Sequence, residues 1–314
     1  MSIVERALKR LQDSAQAGAK PPRAPLPPVG RVVPAVTVPG PASHESQPRR
    51  EIGNTAKSVH IDFDALRLRG LLPPEHQQRQ LSHQYRMLKR PLLKAAFDEV
   101  TAAGVTSGAS PRTIMVTSAL PGEGKTFTTI NLALSLALEK DHRVILIDGD
   151  APKPHVSHTF GVASEPGLID VLTNPDIPVE SVILPTDIAG LYIVPIGQRS
   201  GSTTELLSSA RMRQVVAELQ ALDDYGIVLF DSPPILLTSE AQVLASLFGQ
   251  IVLVVRAGVT PQQAVTDALG MIGEGPRIGL VLNQALHDNN VGGYYGYGYG
   301  DGFVESQQAG QHES

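Results

Sequence analysis

The chain has 314 residues, of which 42% are hydrophobic and 18% charged, and its formal net charge is -5. This length leaves room for one large domain or two small ones, and the acidic balance excludes a globally basic nucleic-acid-binding protein. The chain contains no cysteine, which excludes disulfide scaffolds, zinc–thiolate sites, iron–sulfur clusters and a cysteine nucleophile.

The N-terminal residues are predicted to form an arm rather than a packed domain. Residues 3–12 place apolar side chains at helical spacing, which predicts a short amphipathic helix within residues 1–15, either a docking element or a plain solvated helix. Residues 16–78 are predicted to be a flexible, proline-rich linker, because proline has no N–H and disfavours helix in the preceding residue. This arm lacks the apolar core of a secretory signal, and no run in the chain approaches the ~18 apolar residues of a membrane span. A cytoplasmic location is therefore expected.

Residues 79–284 carry the pattern of one α/β domain. A helix is predicted over 79–99, broken or restarted at Pro91. Short β-branched runs then alternate with amphipathic helices, which predicts a mostly parallel sheet with helices on both faces. The predicted strands are 113–118, 143–148, 191–195, 226–231, 250–256 and 277–283. The predicted helices lie near 125–140, 209–222, 238–248 and 260–273.

The last segment, residues 285–314, has no lysine or arginine and is rich in glycine, which predicts a flexible tail. Four of the seven tyrosines of the chain lie in it. They are Tyr294, Tyr295, Tyr297 and Tyr299. The cluster is either functional or incidental to a low-complexity sequence.

A phosphate-binding loop is predicted between the first strand and the helix that follows it. The sequence from Ala119 to Thr126, ALPGEGKT, is a Walker A pattern with alanine in its first position, typical of P-loop NTPases. Its glycines let backbone N–H groups line an anion site at the start of a helix. Lys125 supplies a cation for the β- and γ-phosphates, and the hydroxyl of Thr126 can bind Mg²⁺. The residues predicted to bind ATP are Ala119, Pro121, Gly122, Glu123, Gly124, Lys125, Thr126 and Phe127.

Two further strands are predicted to end in acidic residues. Asp148 and Asp150 follow one strand, and Asp231 ends another in an apolar-D-x-x-P sequence of the Walker B form. Open α/β sheets bind ligands at the carboxyl ends of their parallel strands. Asp148 and Asp231 are therefore expected to hold Mg²⁺ together with Thr126.

These motifs resemble the bacterial tyrosine kinases (BY-kinases), Walker-type autokinases of capsular and exopolysaccharide synthesis. Partition ATPases carry a second lysine at the position of Leu120, which this chain lacks. The resemblance rests on the phosphate loop, DGD at 148–150, DSPP at 231–234 and the tail tyrosines. It extends to the stretches KRPLL (89–93), GLIDVL (167–172), ELLSS (205–209) and VLN (281–283), and is greatest to the exosortase-associated tyrosine autokinases.

The resemblance implies an ATP- and Mg²⁺-dependent protein-tyrosine autokinase that regulates exopolysaccharide or capsule production and export. It implies Lys125, Asp148, Asp150 and Asp231 as catalytic residues and the four tail tyrosines as phosphate acceptors, modified in trans within a homo-oligomeric ring. Asn283 is implied as an adenine contact, although a strand-end turn former is the alternative. The implied partners are a membrane polysaccharide co-polymerase, which would recruit the kinase to the inner face of the membrane, and a tyrosine phosphatase. No nucleic acid is expected.

The chain departs from the BY-kinase pattern at two places. The D-x-D-x-R sequence of the family appears as Asp148-Gly-Asp150 followed by Ala-Pro-Lys153. The oligomerisation motif E-x2-R-x2-R appears as His83-x2-Arg86-x2-Lys89. The rival hypotheses are a partition-type ATPase and a scaffold that binds nucleotide without turnover.

Overall fold

The computed structural model describes residues 52, 57–97, 109–198, 203–224 and 226–285. The predicted N-terminal helix, most of the proline-rich linker and the four tail tyrosines lie outside these residues. None of the helices in the described part of the chain is both long and apolar enough to cross a bilayer.

Seven strands form one sheet in the order β3-β4-β2-β5-β1-β6-β7. Neighbouring strands run parallel except β3, which pairs antiparallel with β4. The strands are β1 (Thr113–Ser118), β2 (Arg143–Asp148), β3 (Leu184–Pro185), β4 (Leu191–Val194), β5 (Gly226–Asp231), β6 (Gln250–Arg256) and β7 (Arg277–Asn283).

Nine α-helices and one 3-10 turn are found among the described residues. The longer helices are α2 (Glu75–Phe97), α3 (Lys125–Ala137), α7 (Ala210–Ala221) and α9 (Gln262–Ile272). The shorter elements are α1 (Phe63–Leu68), α4 (His155–Thr159), α5 (Leu168–Thr173), the 3-10 turn (Val179–Val182), α6 (Thr203–Leu207) and α8 (Ser239–Ala245).

The three central strands are buried on both faces. Every residue of β1, β2 and β5 is buried, and alternate side chains point into two separate apolar clusters. Helices α2 and α3 cover the face that contains Ile114, while α7, α8 and α9 cover the face that contains Met115. The predicted α/β class, with helices on both faces of a mostly parallel sheet, is confirmed.

Helix α2 runs without a break through Pro91, so the predicted interruption is wrong. Proline at this position removes the hydrogen bond to the carbonyl of Met87. Both residues lie on the exposed side of the helix, where water can bond that carbonyl. The opposite side, with Tyr85 and Leu92 buried against α3, continues on both sides of the proline and holds the helix together.

Part of the segment predicted to be linker is folded. Val59 pairs with Thr186 at the edge of the sheet, and Asp62 caps α1 by accepting hydrogen bonds from two backbone N–H groups. Ile61 and Leu66 are each 2% exposed in the same apolar cluster as α2. The predicted boundary at residue 78 therefore differs from the structure, because residues 57–72 carry apolar side chains that pack onto the domain.

Candidate active site

The predicted site residues come together at the carboxyl ends of the central strands. The phosphate loop connects β1 to α3, and β5 lies between β1 and β2 in the sheet. Asp148 and Asp231 end β2 and β5 as directly paired residues. The loop and the acids therefore lie together at the carboxyl ends of these strands.

The phosphate loop depends on glycine. Gly122 and Gly124 have φ angles of 81° and 91°, in the left-handed region that other residues rarely adopt. A Cβ atom on Gly124 would lie 2.0 Å from the side-chain nitrogen of Asn283. Gly124 also caps α3 without a side chain, which leaves the first N–H groups of the helix available to an anion.

Lys125 is held by an acid that follows the second strand. Its Nζ lies 2.5 Å from Oδ2 of Asp150, and the two side chains are only 12% and 3% exposed. Asp150 also accepts a hydrogen bond at Oδ1 from the backbone N–H of Lys153, whose side chain is exposed. The ammonium group of Lys125 is therefore kept in place at the start of α3 before any phosphate binds.

Two hydroxyl groups of α3 hold the carboxylate of Asp231. Thr126 Oγ1 donates to Oδ2 at 2.7 Å, and Thr129 Oγ1 donates to Oδ1 at 2.8 Å. Asp231 is completely buried, and this burial raises its pKa, although Lys125 and the two hydroxyl groups act in the opposite direction.

Asp148 is also completely buried but is bonded less fully. Its Oδ2 accepts a hydrogen bond from the N–H of Ser157 at 2.7 Å, whereas Oδ1 has no hydrogen-bond partner. Burial, and after it the charge of Asp231, raise the pKa of Asp148 to about 7. A carboxyl group with this pKa can exchange a proton near neutral pH.

The oxygen atoms of Thr126, Asp148 and Asp231 fit the predicted magnesium ion. Among the described residues, no group of three or more His, Asp or Glu side chains could hold a metal ion by itself. Mg²⁺ commonly binds to one or two carboxylates and completes its shell with water and substrate phosphates. The unpaired Oδ1 of Asp148 is a buried acceptor that such an ion would satisfy.

The remaining predicted residues differ in their surroundings. Ala119 is buried at the end of β1, and Pro121 is exposed on the loop. Phe127 lines a surface groove beside α1 and α2, together with Leu68 and Gln77. The groove, rather than the phosphate loop, is thus where the Phe127 side chain is found.

Two contacts of the phosphate loop were missed by sequence reasoning. Glu123 is bonded to Thr260, which lies after β6, and the side-chain nitrogen of Asn283 donates to the carbonyl oxygen of Glu123 at 2.8 Å. Thr260 lies 137 positions away from Glu123, and no local pattern in the sequence marks it.

The oligomerisation motif is only partly exposed. His83 and Arg86 lie on the exposed side of α2. Lys89 is 5% exposed, and its Nζ contacts the carbonyl oxygen of Ser135 at 2.6 Å and Oε1 of Glu139 at 2.7 Å. Lys89 therefore joins α2 to the end of α3 within one subunit.

Comparison with known proteins finds relatives that match most of the described chain. The family model of the AAA domain matches residues 111–269. The chain is 31% identical over 218 residues to the tyrosine-protein kinase YwqD of Bacillus subtilis. This match covers 68% of this chain and 86% of that protein. It is 32% identical to the tyrosine-protein kinase wzc of Salmonella typhimurium over 59% of this chain but only 25% of that protein. The solved kinase domain of the Escherichia coli tyrosine kinase ETK has a TM-score of 0.53 and 28% identity, and the match covers 66% of this chain and 85% of that domain.

Proposed function

We propose, since this chain belongs to the family of bacterial protein-tyrosine kinases, that it transfers phosphate from ATP to tyrosines of its own C-terminal tail. The observation that carries the proposal is the position of the phosphate loop beside the two register-paired acids, Asp148 and Asp231. This arrangement provides an anion site and metal-binding oxygens at one edge of the sheet.

The chain's own groups would hold the nucleotide as follows. The N–H groups at the start of α3 bind the phosphates, and Lys125 draws charge from the γ-phosphate oxygens. Thr126, Asp148 and Asp231 would supply oxygen ligands to Mg²⁺. When bound, Mg²⁺ neutralises charge that develops on the β- and γ-phosphate oxygens.

Asp148 or Asp150 is the proposed acceptor of the phenol proton. A free tyrosine has a pKa of ~10, and the loose transition state of phosphoryl transfer does not require complete prior deprotonation. Asp150 is bonded to Lys125, whereas Asp148 is completely buried and is also a proposed ligand of Mg²⁺. Both acids therefore remain candidates for this role.

The proposed acceptors are Tyr294, Tyr295, Tyr297 and Tyr299, modified in trans by a neighbour in a ring. A tail without lysine or arginine already carries net negative charge, and each phosphate adds about -1.5 to -2 more. Phosphorylated tails would repel one another and the acidic site, which would loosen the ring. Since Lys89 is buried, His83 and Arg86 are the members of the motif that can face a neighbour.

Family membership also supports a cellular role. The proposed process is regulation of exopolysaccharide or capsule production and export. The proposed activator is a membrane polysaccharide co-polymerase that recruits this kinase to the inner face of the membrane, and a tyrosine phosphatase would reverse the modification.

The test is incubation of the purified chain and its activator with Mg·ATP, followed by detection of phosphotyrosine and mass spectrometry of the tail. Lys125→Met should abolish the label while thermal unfolding shows a folded protein. Replacement of all four tail tyrosines by phenylalanine should also abolish it, whereas Tyr192→Phe, a change in β4, should not. Label that persists in the four-phenylalanine variant would exclude the tail as the acceptor.

Transfer in trans needs a separate experiment. A Lys125→Met chain with an intact tail is mixed with an active chain that lacks residues 286–314. Label on the Lys125→Met chain supports transfer in trans. If that chain stays unlabelled although both proteins elute in one oligomer, transfer occurs in cis.

A further inference from the structure

Glu123 is an acid in a loop whose proposed role is to receive an anion. It lies between the two glycines that give the phosphate loop its shape, and it is only 2% exposed. A carboxylate near phosphate groups weakens their binding through charge repulsion. The position of Glu123 therefore requires an explanation other than contact with the nucleotide.

Both carboxylate oxygens of Glu123 are engaged by other parts of the protein. Oε2 accepts a hydrogen bond from the N–H of Leu120, at the start of the same loop, at 2.8 Å. Oε1 accepts a hydrogen bond from the hydroxyl group of Thr260, in the loop between β6 and α9. The side chain thus links Glu123 to the start of the phosphate loop and bonds the phosphate loop to the β6–α9 loop. This second link, between Glu123 and Thr260, is called the tie.

Thr260 is itself held in place by hydrogen bonds to the backbone of Arg256. Its Oγ1 accepts a hydrogen bond from the N–H of Arg256 at 3.0 Å, and its own N–H donates to the carbonyl oxygen of Arg256 at 3.1 Å. Arg256 is the last residue of β6, which pairs with β1 on one side and β7 on the other. The loop after β6 is therefore held by the sheet itself.

The end of β7 contacts the same place. The side-chain amide of Asn283 donates to the backbone carbonyl oxygen of Glu123. The backbone carbonyl oxygen of Asn283 accepts a hydrogen bond from the N–H of Ala257, at the start of the β6–α9 loop. Glu123 is thus held through its side chain and its backbone by two neighbouring strand ends.

We infer that Glu123 is a positioning residue, which keeps the phosphate loop in its nucleotide-binding shape by bonding it to Thr260. The inference rests on the proposed binding of ATP in this loop. Without the tie, the glycine-rich loop would have to lose conformational freedom each time that a nucleotide binds. The repulsion from one buried carboxylate is offset because the loop is already ordered.

The test measures the affinity for Mg·ADP by titration calorimetry, and kcat and KM for ATP, in a small set of full-length variants. Glu123→Ala removes both bonds, Glu123→Gln keeps the shape of the side chain but only one acceptor oxygen, and Thr260→Val removes the hydroxyl group at constant shape. Asp223→Ala is the matched control, because it removes a carboxylate of 15% exposure at the amino ends of the strands, away from the phosphate loop, where it pairs with Arg143.

Glu123→Ala should weaken Mg·ADP binding by about tenfold or more, the usual effect of losing a hydrogen bond to a charged group. Glu123→Gln should weaken binding less than Glu123→Ala, because its amide oxygen can still accept one of the two hydrogen bonds and its NH2 group can bond to Thr260 only as a donor. Thr260→Val should weaken binding, and the double variant should be no worse than Glu123→Ala, since both changes break the same tie. Asp223→Ala should lower the melting temperature without changing the affinity.

Equal affinity in the wild type and Glu123→Ala would overturn the inference, as would fully additive effects of the Glu123 and Thr260 changes. Weaker binding by Asp223→Ala to the same extent would also overturn it, because loss of stability would then account for the effect. If Glu123→Ala does not fold, Glu123→Gln and Thr260→Val decide the question: unchanged affinity in Thr260→Val excludes the tie. A wild-type chain that bound no nucleotide would instead refute the proposed function.

Discussion

Asp148 and Asp231 are register partners at the ends of two adjacent parallel strands, and neither side chain is exposed to solvent. Two carboxylates in such a position disfavour each other's ionisation, and burial adds to the effect. The pKa of both groups is raised, that of Asp148 to about 7. The site therefore carries an unfavourable charge arrangement before any cation or nucleotide binds.

Replacement of Asp148 by asparagine should stabilise the protein, and the gain should depend on pH. Because the pKa of Asp148 is raised from 3.8 to about 7 on folding, the ionised group destabilises the native state increasingly as pH rises between these values. Above the folded pKa the effect is constant. The melting temperature of Asp148→Asn, measured without metal or nucleotide, should exceed that of the wild type by about 2 °C or more at pH 8 and by less at pH 5. A gain of equal size at both pH values would contradict the raised pKa.

Substitutions of the two threonines that bond to Asp231 should have similar effects on stability but different effects on activity. Thr126→Val and Thr129→Val each remove one hydrogen bond to a buried carboxylate, so each should lower the free energy of unfolding by about 1–3 kcal/mol. Thr126→Val should also reduce phosphotyrosine formation more than tenfold, because its hydroxyl is the proposed magnesium ligand. Thr129→Ser, which keeps the hydroxyl group, is the control and should restore stability. Equal loss of activity in both valine variants, with equal stability, would argue against a special role for Thr126.

Lys89 should matter for stability and Arg86 should not. Lys89→Met removes the bonds to Ser135 and Glu139 that join α2 to α3, and should lower the free energy of unfolding by about 1–2 kcal/mol. The hydrogen bond from Lys89 holds the pKa of Glu139 below its usual value. Its contribution to the free energy of unfolding is therefore fully present at pH values above the usual pKa of glutamate and is lost as the pH falls through the lowered pKa. The exposed Arg86 can be changed to alanine with little effect on unfolding, while analytical ultracentrifugation should show weaker association. Unchanged association of Arg86→Ala would remove this residue from the subunit interface.

Gly149→Ala should damage both the fold and the site. A Cβ atom at this position would lie 2.0 Å from the ring of Phe230, which is completely buried and packs 5.1 Å from the ring of Phe248. Overpacking of this kind costs about 1–3 kcal/mol, and the displacement would move Asp148 and Asp150 on either side. Gly270→Ala in α9 is the control: no atom lies within 4 Å of its Cβ position, so denaturation should show a protein at least as stable as the wild type.

The elements of the fold that have a periodic or continuous apolar pattern could be predicted from the sequence. Six of the seven strands begin at the predicted residue, because each is a nearly continuous apolar run, including the largely exposed β7. Helices α1, α4, α5 and α6, the 3-10 turn and strand β3 were not predicted. Each is too short to show a helical or alternating period, and their form depends on contacts with distant residues.

The same distinction applies to the candidate site. The loop from Ala119 to Thr126 and the acids that end β2 and β5 are visible because each forms a local motif. The contacts of Glu123 with Thr260, and of Lys89 with Glu139, join segments that are far apart in the chain and carry no motif. The burial of Lys89 could not be inferred either, because a lysine on an amphipathic helix is usually exposed.

The bond between Asn283 and the phosphate loop determines where the tail of the chain is tethered. Tyr294 lies 11 residues further along, and a chain of this length spans at most about 36–40 Å. If these tyrosines are the acceptors, such a tether would present them to the site of their own chain at an effective concentration on the order of millimolar. The proposed transfer in trans therefore requires an arrangement of subunits in which a neighbour's tail reaches the site more readily than the chain's own tail.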